Sequence, residues 1–116
     1  MADQRTPTPF ERALLKRFSG TFTTPGGEVW VRYEDAVAAI DIAQERRQRV
    51  IGIEGFVVGA NVYPSMSRIT DFSRSGHEAS AYDDARELLM GPWADVPDDL
   101  HADAEGTYMI DIVVAD

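Results

Sequence analysis

Glu54 stands inside the most apolar run of the chain, VIGIEGFVVGANVY at residues 50–63, with Gly52 two positions before it and Gly55 directly after. An ionised carboxylate stripped of water costs on the order of several kcal/mol, or takes up a proton, unless it finds a partner. Two kinds of chemistry use such a group. In a cleft, with small neighbours leaving room beside the strand for a ligand, Glu54 acts as a general acid or base, assisted by Asp71 or His77. Tied to an arginine at a helix end, Arg46, Arg47 or Arg49, it is a structural ion pair. Perturbed acids of the second kind are common away from active sites, and the sequence leaves both readings open.

The remaining reactive side chains form no motif. His77 and His101 are the only histidines, both fall in expected loops, and neither has a second ligand four residues away on a helix. There is no cysteine, which removes thiol catalysis, disulfides and Cys-based zinc sites. No G-x-S-x-G elbow, phosphate loop or dinucleotide fingerprint occurs. No cofactor or metal is expected. The densest group of charge is the stretch PWADVPDDLHADAEG, with Asp95, Asp98, Asp99, Asp103 and Glu105. It lacks the D-x-[DN]-x-[DN]-G order of a calcium loop. Its chemistry is attraction of a basic surface, with Trp93 as an aromatic anchor ringed by charge. A core Trp93 that fixes the loop is the alternative.

These groups need a scaffold. Residues 1–7 read as a loose arm. Thr8, Pro9 and Glu11 then have the cap, first-turn proline and third-position acid of a helix start, and Phe10, Leu14, Leu15 and Phe18 recur at helical spacing up to Gly20. Thr21–Thr24 and Glu28–Val31 flank the Pro25-Gly26-Gly27 turn as a loose hairpin. A second helix is expected over 33–48, with a stripe of Tyr33, Val37, Ile40 and Ala43 or Gln44. Glu34 and Asp35 stand at its positive pole, and Arg46, Arg47 and Arg49 at its negative pole. The run at 50–58 is apolar on both faces, the mark of a central, covered strand. It returns through Val62 and Tyr63 to Pro64, which stops or bends the pairing, and SRITDF at 67–72 forms a further short strand. Ser80 and Asp83 open a third helix with Ala81, Ala85, Leu88 and Leu89 on its buried side, ended by Gly91-Pro92. TYMIDIVVA alternates as a half-buried strand. The expected fold is a single α+β domain over 1–116: about four mainly antiparallel strands with three helices mainly on one face.

The net charge is −9, and residues 59–116 carry all of it, while residues 1–58 are neutral. Such a field repels phosphate backbones and anionic lipid and attracts basic proteins. Nucleic acid and membrane are therefore not expected as partners. The start MADQRTPTPF has no apolar signal region and no run approaches a membrane span, so a cytoplasmic protein is expected.

DAVAAI on a helix, VIGIEGF as a strand, then ITDFS and PW together resemble the small immunity proteins encoded beside bacterial polymorphic toxins, including contact-dependent inhibition systems. The resemblance covers about the middle third of the chain. It implies an acidic cytosolic antitoxin, not an enzyme, that plugs or caps a cognate toxin, often a nuclease with a basic groove. Trp93 and the acids from Asp95 to Glu105 are then the expected contacts. The alternative is a small enzyme or ligand-binding domain with its pocket at Glu54, Asp71 and His77.

Overall fold

In the computed structural model, which describes residues 6–59, 62–71, 78–94 and 107–115, Thr8 and Glu11 close a reciprocal cap. The Glu11 N–H donates to Thr8 Oγ1 at 3.1 Å and the Thr8 N–H to Glu11 Oε1 at 2.9 Å. This starts α1, Pro9–Arg17, which buries Phe10 and Leu14. The helix stops at Arg17, short of Gly20, because Phe18 turns extended while its N–H still bonds the Leu14 carbonyl. Two short strands follow, β1 (Phe22–Thr23) and β2 (Val29–Arg32), paired antiparallel around the turn at Gly27.

Helix α2 runs from Tyr33 to Glu45. It ends three residues earlier than the charge pattern suggests, and the cause is a backbone motif. Arg47 adopts φ 56°, Gln48 N–H bonds the Ala43 carbonyl and Arg47 N–H bonds the Gln44 carbonyl. That is the Schellman arrangement, with arginine at the left-handed position where glycine is usual. The buried side of α2 is Ala36, Ala39, Ile40 and Ala43, with Val37 only partly buried. Small alanines let the helix lie close to its neighbours.

Strand β3, Val50–Val58, then forms a hairpin with β4, Val62–Asp71. Residues 67–71 of SRITDF are the continuation of β4 and not a separate strand, and Phe72 lies outside the described residues. Pro64 sits opposite Phe56, after which β4 uses the whole step from Pro64 to Ile69 where β3 uses only that from Phe56 to Glu54. The proline bends the ladder without ending it. Helix α3, Glu78–Met90, and strand β5, Thr107–Val114, complete the chain. Ser80 falls inside the first turn of α3, which begins two residues before the expected cap.

The sheet order is β1-β2-β5-β3-β4, and every pairing is antiparallel. Strand β5 therefore lies between β2 and β3, and β3 lies between β5 and β4. The units β2-α2-β3 and β4-α3-β5 are each split by a strand of the other, which ties the two units into one sheet of an α+β fold. One core cluster joins Phe10 and Leu14 of α1, Ala39 and Ile40 of α2, and Ala85 and Leu89 of α3 to Val31, Ile53 and Ile110 of the sheet. The three helices thus cover one face.

The central position of β3 is as expected, but helices do not cover it on both sides. Its facing also changes along its length. A register shift between Val50 and Gly52 turns Val50 to the helical side with Ile53, so the two-residue alternation breaks at the strand's start. On the other face, Trp30 of β2 and Phe56 of β3 reach over β5 and stack with centroids 3.9 Å apart, and Phe22 leans on Trp30 at 5.5 Å. Met109, register partner of Arg32 on one side and Phe56 on the other, is only 3% exposed as a result.

Candidate binding surface

The third helix carries the surface most suited to a partner. Ala81, Tyr82, Ala85 and Leu89 point into the core at spacings of three and four. That orientation forces Asp83, Asp84, Glu87 and Met90 outward, and all four are exposed, Met90 by 69%. Two tyrosines hold the helix on α2 with this roll. The Tyr82 hydroxyl donates to the Gln48 carbonyl just past the end of α2 at 2.7 Å, and the Tyr33 hydroxyl at the start of α2 donates to the Leu89 carbonyl near the end of α3. Each bond joins opposite ends of an antiparallel pair, so rotation of α3 would break both.

Arg86 is the single described basic residue of α3, and it is not available to offset the acids. Its Nε and Nη2 donate to Asp41 Oδ1 at 3.0 and 2.6 Å, and Nη1 donates to Asp83 at 3.1 Å. Asp84 and Glu87 have no ion pair among the described residues. No basic residue occupies the last turn of α3, where Glu87 stands. A carboxylate there faces the negative end of the helix dipole. Helix α1 places Lys16 and Arg17 in its last turn, whereas α2, like α3, has no base there and ends on Glu45. The acid at position 87 therefore works against the helix that carries it. Shallow grooves flank this side chain. One, of about 480 Å³, lies among Asp83, Arg86, Glu87 and Met90, and another, of about 420 Å³, among Asp84, Glu87, Leu88 and Pro92.

The residues singled out in the sequence are dispersed. Trp93 is 4% exposed and belongs to the core cluster; its N–H bonds the Leu88 carbonyl at 2.8 Å and its carbonyl accepts the Tyr108 hydroxyl at 3.2 Å. It is the core residue of the alternative reading and not an exposed anchor. Asp95, Asp98, Asp99, Asp103 and Glu105 lie outside the described residues, as do His77 and His101. Asp71 is placed by its backbone alone, opposite Gly52.

Glu54 is half-buried on the sheet face away from the helices, opposite Asp111 of β5 and Ile69 of β4. Among the described residues it has no ion pair, so Arg46, Arg47 and Arg49 do not serve as its partners. Gly52, two residues before it, has a packing role: a Cβ there would meet the Thr70 carbonyl at 2.9 Å. It allows β4 to approach and opens no space for a ligand.

A further concavity of about 210 Å³ opens where β2 parts from β5, walled by Glu11, Glu28 and Asp111. Glu11 is 8% exposed and is used structurally, since its Oε2 also accepts the Val29 N–H at 3.4 Å. Among the described residues no group of three or more histidines and carboxylates is placed to hold a metal ion, and no helix is long and apolar enough to cross a membrane. No protein-family model, curated protein or solved structure matches the chain.

Proposed function

We propose that this chain is a protein-binding module that neutralises a basic partner, as an immunity protein or antitoxin caps a toxin whose own cleft is built to hold nucleic acid. The observation that carries the reading is Glu87, an exposed acid with no ion pair among the described residues, in the last turn of α3 beside Asp83, Asp84 and the exposed Met90. Stability alone favours lysine at that place. An apolar side chain ringed by charge is the composition of a binding centre. Asp95, Asp98, Asp99, Asp103 and Glu105 follow α3 in the sequence and extend the same sign of charge. The one-sided distribution of the net −9 supports the same reading, because an acidic face speeds encounter with a basic one.

The test is association with the product of the adjoining open reading frame, measured by stopped flow over a range of ionic strength. Replacing Asp83, Asp84 and Glu87 together by lysine is expected to slow association roughly tenfold or more at low salt and to flatten its salt dependence. Unchanged association of the triple variant would remove α3 from the interface.

A further inference from the structure

Helices α1 and α3 carry opposite charge. Of the three helices, α1 alone has more bases than acids, with Arg12, Lys16 and Arg17 against Glu11, while α3 holds Glu78, Asp83, Asp84 and Glu87 against Arg86. Phe10 and Leu14 turn into the core and so aim Arg12, Leu15 and Lys16 outward. Arg12, Lys16 and Arg17 are all exposed. Arg12 donates to the Pro7 carbonyl at 3.1 Å, and none of these bases has an ion pair among the described residues. Glu11, the one acid of α1, is buried and accepts the Thr8 and Val29 N–H groups. The exposed large apolar side chains among the described residues are Leu15, at 39%, and Met90, at 69%. One stands among the bases of α1 and the other among the acids of α3.

We propose that these faces are the two halves of one self-contact, in which α1 of one copy of this chain packs on α3 of a second copy. The two faces do not meet within one molecule. Helix α1 packs on α2 and β2, α3 packs on α2 and β3, and no ion pair joins α1 to α3 among the described residues. Between copies each face finds what it lacks: carboxylates for Arg12, Lys16 and Arg17, bases for Asp84 and Glu87, and cover for Leu15 and Met90. Exposed ion pairs alone contribute little. Leu15 and Met90 give the contact an apolar centre, and the charges around them set which face meets which. Two such contacts about a twofold axis use both faces of both copies and close a dimer. The net charge of −9 opposes the approach of like chains. That repulsion is screened beyond roughly 10 Å at ~0.1 M salt, a longer distance than separates paired side chains. The inference needs no other partner. It places α1 on the α3 face that the proposed function assigns to a basic protein, so the two compete.

The experiment is sedimentation equilibrium of the full chain at up to ~1 mM protein and ~0.1 M salt, with amide spectra of the isotope-labelled protein over the same dilution series. A dimer is expected, weakened at high salt, with its largest concentration-dependent shifts in α1 and α3. Leu15→Ser leaves every charge in place and is expected to raise the dissociation constant roughly tenfold. Reversal of Arg12, Lys16 and Arg17 to glutamate, or of Asp83, Asp84 and Glu87 to lysine, should leave each variant monomeric. An equimolar mixture of the two variants should associate again, because the acidic α1 of one then meets the basic α3 of the other. Misfolded variants would not show that recovery. A wild-type chain that stays monomeric at ~1 mM overturns the inference. So does a dimer whose shifts lie outside α1 and α3, or one that survives both reversals. None of these results decides the proposed function, which fails separately, on the stopped-flow result.

Discussion

Glu54 and Asp111 are register partners on β3 and β5, two carboxylates directly opposite each other on the sheet face away from the helices. The acid within the most apolar run is therefore neither sealed in a core nor tied to the arginines that follow α2. It lies beside the Trp30–Phe56 stack, on a face that the helices leave uncovered.

Like charges directly opposite in an antiparallel pair oppose each other. Glu54→Lys is expected to stabilise the fold by about 0.5 kcal/mol by turning this pair into one of opposite sign, and the gain should shrink as salt is added. Urea unfolding at two ionic strengths measures both. A clear loss of stability would mean that the Glu54 carboxylate is held by a favourable contact.

The left-handed residue after α2 offers a second point of strain. Arg47 at φ 56° occupies the position that glycine takes without a Cβ clash. Arg47→Gly is expected to raise stability by about 0.5–1 kcal/mol, the relief of the left-handed conformation less the added freedom of the unfolded chain. Arg47→Val should cost more than Arg47→Ala, because a β-branched side chain tolerates this region least. Thermal melts of the three variants give the order, and a neutral glycine would show that Arg47 gains compensating contacts in the native state.

The two tyrosine bonds between α2 and α3 should act independently. Tyr82→Phe leaves the Gln48 carbonyl without its hydroxyl donor and Tyr33→Phe does the same at Leu89. Each is expected to cost about 1 kcal/mol. Seven residues of helix separate Tyr82 from Leu89, about 10 Å, so the double variant should equal the sum within about 0.5 kcal/mol. A large coupling would show that loosening one end of α3 lets the whole helix shift.

Local signals fixed much of this fold. The Thr8–Glu11 cap, the alternation of β5 and the Ala81–Ala85–Leu89 stripe each specify an element by nearest neighbours alone. The misses are non-local. Whether Pro64 ends or bends a ladder depends on what β3 offers opposite it. The shift at Val50 follows from its pairing with Val114. The Trp30–Phe56 stack needs β5 inserted between β2 and β3, which no local pattern encodes. For Trp93 the sequence offers both an exposed anchor and a core residue, and the bond from Tyr108 that helps to decide for the core comes from β5, fifteen residues on. Of the acids of α3, only Asp83 enters the sequence reading, as a partner of Ser80 at the helix start. No base stands in the last turn of α3, a feature that α2, with Glu45 there, shares.

That absence yields a prediction in which stability and binding move in opposite directions. Glu87→Lys replaces an acid at the negative end of the α3 dipole by a base. It is expected to stabilise the isolated protein by about 0.3–1 kcal/mol, with a further contribution from Asp84 three residues earlier on the same exposed surface. The same change should weaken binding of the basic partner, because it places a cation on the acidic face proposed to meet it. Chemical denaturation gives the first quantity and calorimetric titration the second. If Glu87→Lys both stabilises the protein and leaves binding intact, position 87 has no part in recognition and the interface must be sought elsewhere. If it destabilises, Glu87 is engaged in a native contact that offsets the dipole, and the case for a residue retained for its partner is lost. The expected pattern, a gain in stability with a loss in affinity, is the one that selection for an interface leaves behind.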